Sequence, residues 1–305
     1  MRVLITGATG FAGRHLTSYC AGLGHEVHAL APGVDIRDRD ALASALRDVA
    51  PDWVAHLAGA SSVGGSFADP VGTWDVNLGG TLALLEALRA EAPEARALIV
   101  SSGEAHGRVA PHELPVGPDT PMRPLSPYGA SKAAADLAAG QYREAYGLPA
   151  LRVRAFNHVG PGQDPRFVLP NVARQIATAE HEGRAEVRVK VGNLDTRRDF
   201  TDVRDMVRAY LLVLERGDPD AVYLACSGRS RPVRELIEGL APLARIPVTF
   251  DSEAGLRRSG EQPDLYGSPV RLRHDTGWTP EIPIETTLAD TLDWWRERAA
   301  AEDRE

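Results

Sequence analysis

With 305 residues, 43% of them hydrophobic and 25% charged, the chain has an ordinary globular composition and length for one large α/β unit, alone or with a smaller domain. A net charge of −8 argues against a general nucleic-acid binder, and the short basic pairs Arg197–Arg198 and Arg257–Arg258 suit one small phosphorylated ligand. Cys20 and Cys226 are too few for a disulfide framework or zinc site, and no run reaches the roughly 20 apolar residues of a membrane span, so a cytoplasmic protein is expected.

In chain order, the strand-like run Arg2–Thr6 is followed at once by Gly7, Gly10 and Gly13, and a helical pattern covers 13–22. A GxxGxxG string between strand and helix has a physical reading. The first glycine permits a tight turn, the second lets backbone approach a pyrophosphate, and the third lets helix and strand pack closely. Amides at the helix start, those of Phe11, Ala12 and Gly13, then face the phosphates. The spacing is one residue looser than the usual GxGxxG. The second strand, 26–30, runs into Ala31 and Pro32, without the acid that would hold a ribose 2′-hydroxyl in an NAD-specific site. NAD or NADP therefore stays open, with a lean to NADP. Arg14 or Arg37 could accept a 2′-phosphate or simply be solvated, and Asp35 and Ile36 could border the adenine.

A helix is expected over 40–49, a third strand over 53–57, a helix over 71–90, and a fourth strand over 97–101 leading into Ser102. The helical pattern 126–146 then places Tyr128 and Lys132 four residues apart on one face. Free tyrosine, with a pKa of about 10, exchanges protons poorly near neutrality, and a nearby ammonium favours its phenolate. Such a pair alone is commonly an accident of a solvated surface. Ser101 and Ser102 give it company, because a hydroxyl there can hydrogen-bond a sugar oxygen.

After the fifth strand, 151–156, the alternation breaks into Gly- and Pro-rich sequence, a helical stretch over 171–182 and a strand-like run Val187–Val191. Residues 199–215 return toward the first domain, a sixth strand covers 222–226, a helix is expected over 233–243, and irregular sequence surrounds 257–267. This order predicts an α/β fold: a doubly wound parallel sheet (Rossmann) with a smaller, discontinuous C-terminal substrate domain. The dinucleotide-binding domain takes 1–155 and 196–228, and the substrate domain 156–195 and 229–305. His106 and His112 lie in a loop without metal-ligand spacing, and Ser102 lacks a GxSxG elbow, so neither a metal site nor a hydrolase is expected.

Together the strings GATGFAG (7–13), HLAG (56–59), NLGGT (77–81), SPYGASK (126–132) and RDF (198–200) resemble the extended short-chain dehydrogenase/reductases, the NAD-dependent epimerase/dehydratase family, over nearly the whole chain. RAFNHVGPGQ (154–163), VGNLD (191–195) and TGWTP (276–280) are similar to the branch acting on GDP-linked sugars. The resemblance implies NAD(P)H-dependent reduction of the C4 keto group of a nucleotide-linked 4-keto-6-deoxyhexose. The alternative is a 4,6-dehydratase or 4-epimerase with retained NAD(P)+. A non-catalytic dinucleotide sensor is a third reading, which the intact Ser102, Tyr128 and Lys132 disfavour.

By the same resemblance, Tyr128 exchanges the proton at the sugar C4 oxygen, Lys132 lowers its pKa and holds the nicotinamide ribose, and Ser102 orients that oxygen. Leu57, Ala58 and Gly59 line the cofactor, Asn157 marks the mouth of the substrate site, and Arg198 and Arg258 hold the diphosphate. Glu104 occupies a position where 4,6-dehydratases carry the acid that takes the C5 proton, and where reductases can carry an acid too. His106 replaces a customary tyrosine and could contact substrate or cap its loop. A homodimer is implied, pairing 71–90 and 126–146 across the interface; Ala134, Leu137 and Ala138 could face a partner or the chain's own sheet. No membrane or nucleic-acid partner is expected.

Overall fold

The computed structural model describes residues 1–31, 33–252 and 262–302. The first half runs β1 (Arg2–Thr6), α1 (Phe11–Gly22), β2 (Glu26–Ala29), α2 (Arg39–Val49), β3 (Trp53–His56), and the short helices α3 (Val63–Ala68) and α4 (Pro70–Trp74). A π-turn, Asp75–Gly79, leads into α5 (Gly80–Glu91), followed by β4 (Arg96–Ser102), α6 (Pro127–Tyr146) and β5 (Ala150–Ala155). The second half adds β6 (Asn157–Val159), α7 (Val168–His181), β7 (Val187–Val191), β8 (Arg197–Arg198), β9 (Phe200–Asp202), α8 (Val203–Arg216) and β10 (Val222–Ala225). It finishes with β11 (Arg231–Pro232), α9 (Val233–Glu238), β12 (Val248–Ser252), β13 (Asp264–Leu265), α10 (Val270–Thr276) and α11 (Ile284–Glu302).

The main sheet has the order β10-β5-β4-β3-β1-β2 with every pairing parallel, which is the doubly wound arrangement expected. Its strands are buried on both faces, and β1 shows why a continuous apolar run is needed. Val3 and Ile5 join Leu16, Leu151, Val153, Met206 and Tyr210 on the side of α1 and α8. Leu4 points the other way, into a core with Leu42, Leu46, Leu84 and Leu88 from α2 and α5. Each such leucine, fully buried, contributes about 2 kcal/mol. The chain order reverses between β1 and β3, and the crevice beyond their carboxyl ends is where α/β sheets take ligands.

A separate apolar core forms outside the sheet from Val159, Leu169, Ile176, Val189, Leu236, Leu288 and Leu292. Here α7 packs against α11 and β7 pairs with β12. Not all of the C-terminal sequence goes there: Leu272 and Trp278 are buried in the main core, and the Trp278 indole donates to the Asp205 carbonyl at 2.9 Å.

One expectation is corrected. The single helix over 71–90 is two helices, α4 and α5, separated by the π-turn, because the backbone there takes one extra residue per turn. The helix expected over 126–146 does form as α6, and its ends explain themselves. Ser126 accepts from the Gly129 amide at 3.0 Å, Pro127 fills the first turn, and Gly147 closes the helix at φ +71.

Candidate active site

The glycine turn follows β1 and opens α1. Gly7 has φ +71, and a Cβ there would come within 2.6 Å of the Ala58 amide nitrogen. A Cβ on Gly13 would lie 2.0 Å from the Gly7 carbonyl oxygen, so helix and turn touch backbone to backbone. No side chain caps α1 at Gly10, so the amides of its first turn, Phe11, Ala12 and Gly13, are left facing the crevice. That cradle suits a pyrophosphate. Leu57 and Ala58 form the opposite wall; their amides donate to the Thr6 carbonyl at 3.2 Å and the Thr6 hydroxyl at 3.3 Å.

Behind the cradle a buried polar chain joins three elements. The His56 ring links the Thr6 hydroxyl at 2.8 Å to the Thr81 hydroxyl at 3.2 Å, and the Thr81 hydroxyl donates to the Asn77 carbonyl at 2.7 Å. The π-turn carries Asn77, whose amide donates to the Ala60 carbonyl at 3.2 Å and the Ser131 hydroxyl at 2.9 Å. Its Oδ1 is buried with no protein partner, and a Cβ on Gly59 would fall 2.7 Å from that oxygen and 3.5 Å from the Lys132 ammonium. Gly59 thus packs directly against the unpaired Asn77 Oδ1 beside the Lys132 ammonium, where no larger residue fits. Asn77 is a site residue that the sequence reading left in a motif without a role. The signal was available: it opens the NLGGT string.

Tyr128 and Lys132 lie one turn apart on α6, as their spacing required. The Lys132 ammonium donates to the Val100 carbonyl at 2.9 Å, and burial lowers its pKa to about 8. The Ser102 hydroxyl lies near enough to the Tyr128 phenol to lower its pKa. Burial pushes that phenol above the ordinary value, Ser102 pulls it back and the Glu104 charge pushes it up again, so the lowering expected from Lys132 is not found while that ammonium donates to Val100. The Ser101 hydroxyl has a different role, donating to the Lys132 carbonyl at 2.9 Å to fix β4 against α6.

Ser102, Glu104, Asn157 and Arg198 meet in a cleft at the carboxyl ends of β4 and β5, closed by Phe156 and Leu265. Glu104 faces Arg198, with 3.9 Å between Oε1 and Nε. Arg198 is buried and donates through Nη1 to the carbonyls of Arg197 and Gln262, each at 2.8 Å. Its neighbour Asp199 accepts from the Ser227 amide and hydroxyl at 2.7 and 2.6 Å and from the Gly228 amide at 2.9 Å.

Other expected residues fall away from this cleft. His106 is fully buried, 3.4 Å from Arg154, and burial lowers its pKa to about 4. It is therefore buried away from the cleft, beside a pair in which Arg154 grips Asp136 through Nε at 3.0 Å and Nη2 at 3.2 Å. Arg37 is paired to Asp35, while Ile36 is buried against Gly80. Arg14 donates to the carbonyls of Thr9 and Gly162, each at 3.0 Å. Leu137 is 60% exposed on α6; Ala138 packs toward the sheet core. Arg258 lies outside the described residues.

Comparison with known proteins follows the same lines. The family model described as GDP-mannose 4,6 dehydratase matches residues 31–291. The GDP-6-deoxy-D-mannose reductase of Pseudomonas aeruginosa is 40% identical over 304 residues, covering 99% of each chain. The solved structure of RMD from Pseudomonas aeruginosa complexed with NADPH is similar with a TM-score of 0.87 and 39% identity, over 97% of this chain and 98% of that one. The UDP-glucose 4-epimerase of Thermus thermophilus, solved in complex with NAD, gives a TM-score of 0.83 at 29% identity, over 97% of this chain and 99% of that one.

Proposed function

The chain belongs to the GDP-mannose 4,6 dehydratase family of extended short-chain dehydrogenases/reductases, and from that membership we propose that it reduces the C4 keto group of a GDP-linked 4-keto-6-deoxyhexose with NADPH. The observation that carries this reading is a complete Ser102, Tyr128 and Lys132 site in a chain that aligns end to end with a reductase. Dehydratase and epimerase relatives also share the fold and match nearly the whole chain at 29% identity each, so the reductase choice rests on the 40% identity of the reductase match.

The cradle of Gly7, Gly10 and Gly13, with the unpaired Asn77 Oδ1 and the Lys132 ammonium beyond it, fits a dinucleotide, whose reduced nicotinamide would supply a hydride to C4. Ser102 orients the C4 oxygen. Tyr128 holds its proton in the resting site and delivers it to that oxygen as the C4–O bond becomes single. Lys132 stabilises the phenolate left behind, which regains its proton from water. Asn157 stands at the cleft mouth, and Arg258 is the proposed cation for the diphosphate.

The remaining assignments belong to the same reading. The dinucleotide domain is proposed to take 1–155 and 196–228 and the substrate domain 156–195 and 229–305, with Leu272 and Trp278 of the latter packed back into the main core. A homodimer is proposed through residues 71–90, now α4 and α5, and α6, supported by the exposed Val71 and Trp74 of α4, Leu137 of α6 and Phe67 of the adjoining α3, elements that pack together. No described helix is long and apolar enough to cross a membrane, and the two buried free thiols suit the proposed cytoplasmic location.

The test follows nicotinamide absorbance. Stoichiometric NADPH loss on adding GDP-4-keto-6-deoxymannose supports the proposal. Turnover of GDP-mannose or a UDP-hexose without net cofactor change refutes it. Tyr128→Phe should abolish hydride transfer and leave NADPH binding in place.

A further inference from the structure

The loop after Asn157 is fastened to the helix whose start forms the phosphate cradle, and the hydride and proton steps do not use that fastening. Phe11, Arg14 and His15 stand three and four residues apart on α1 and so share one face. Each grips the loop. The Phe11 ring stacks on the His158 ring, with centroids 5.8 Å apart and planes 3° from parallel. Arg14 donates to the Gly162 carbonyl at 3.0 Å, and His15 donates through Nε2 to the Pro161 carbonyl at 2.9 Å. The loop is also tied to itself, since the Gln163 side chain donates to the His158 carbonyl at 2.9 Å. Close approach requires its glycines: a Cβ on Gly160 would fall 2.7 Å from Val203 Cγ1. Gly162 takes φ +87, with the Arg14 guanidinium and the Trp294 ring of α11 both beside it.

We infer that loop 158–163 is a latch through which an occupied cofactor cradle tightens the substrate cleft, with Arg14 and His15 as its positioning residues; this rests on the dinucleotide and nucleotide-sugar reading above. One end of the latch is the cradle. α1 begins at Gly10 without a side-chain cap, so an anion is what holds its first-turn amides, and Phe11 belongs to that turn. The other end is the cleft. Asn157, which lines it, directly precedes His158, and β6 pairs with β9 through Asn157↔Phe200, His158↔Thr201 and Val159↔Asp202. β9 starts two residues after Arg198, a second cleft residue. Holding the latch therefore restricts Asn157 and, through the β6–β9 pair, Arg198. A ligand that enters a cleft already ordered loses less freedom on binding, so cofactor and substrate bind cooperatively without needing to touch.

The experiment measures GDP binding by calorimetry with and without saturating NADPH, in wild type, His15→Ala, His15→Gln and the double variant Arg14→Ala/His15→Ala. GDP carries no ketone, so nothing turns over. NADPH should tighten GDP about 5- to 100-fold in wild type and less than about twofold in the double variant. His15→Ala, which leaves the Arg14 charge in place, should lie between, and His15→Gln, which keeps a donor for Pro161, should stay near wild type. NADPH affinity measured alone should hold within about threefold throughout, which a merely misfolded chain would not do. Hydrogen exchange over residues 158–167 gives a second readout: NADPH should slow it in wild type and not in the double variant. Equal tightening in wild type and double variant, no tightening in wild type, or equal protection of the loop in both overturns the inference. If GDP binds wild type under neither condition, the GDP-sugar reading fails, and the exchange result alone decides the latch. If NADPH does not bind wild type, the dinucleotide reading falls and the latch with it.

Discussion

His56 ties the cofactor crevice to acid stability. It closes β3 almost without solvent exposure, between two threonine hydroxyls, and burial followed by the Lys132 charge pushes its pKa down to about 3. In the unfolded chain a histidine titrates near 6.5. Between those values the unfolded chain takes up a proton that the folded chain refuses, so stability falls as pH falls. At 1.36 kcal/mol per unit, going from about pH 7 to about pH 5 should remove roughly 2 kcal/mol through this residue alone. Urea unfolding at steps between those pH values measures it, with wild type set against His56→Gln. The difference between the two chains should be flat above neutrality and narrow by about 2 kcal/mol toward pH 5. Parallel curves would refute the reasoning, because they would mean that His56 is protonated without penalty in the folded state. Subtraction is essential. His106, lowered to about 4, adds a loss of the same sign, and Asp199, raised to about 6, opposes both.

Three further outcomes are expected. Gly13→Ala drives a Cβ to 2.0 Å from a backbone oxygen, so the turn must open; NADPH affinity by calorimetry should fall at least about tenfold, and an unchanged value would contradict the cradle. Asp136→Ala leaves Arg154 buried beside an uncharged neighbour and should cost about 3–5 kcal/mol in urea unfolding; a loss under about 1 kcal/mol would show the pair to be dispensable. Leu137→Arg places a charge on the exposed apolar face of α6 and should shift the molar mass by light scattering from dimer to monomer, whereas an unchanged mass would put the interface elsewhere.

The parts of this molecule that local rules dictate were readable from sequence. Arg2–Thr6 is apolar because both faces of β1 are covered, Gly7 and Gly13 are glycines because backbone presses on them, and Ser126-Pro127 begins α6 by capping it. What depended on distant contacts was less legible. No local pattern announces a π-turn, since Asn77 gains its role only against Ala60 and Ser131. His106 could not be assigned until Arg154 and Asp136 were seen beside it. The missed helix α11 is a different case. Ile284, Leu288, Leu292 and Trp295 have helical spacing, but buried threonines interleave them; Thr287 donates to Asp202 and Thr291 to the Thr287 carbonyl, and such residues read as loop when considered singly.

The apolar cores also set an order of assembly on the ribosome. β1 through β5 emerge early, yet their core still awaits α8, Tyr223 and Trp278. The outer core pairs Val159 and α7 with Leu288 and Leu292 of α11, far later in the chain. Until α11 leaves the exit tunnel, the apolar face of α7 lacks the helix that covers it. The nascent chain thus carries an exposed greasy helix from the synthesis of α7 until α11 has emerged more than 100 residues later and hides it.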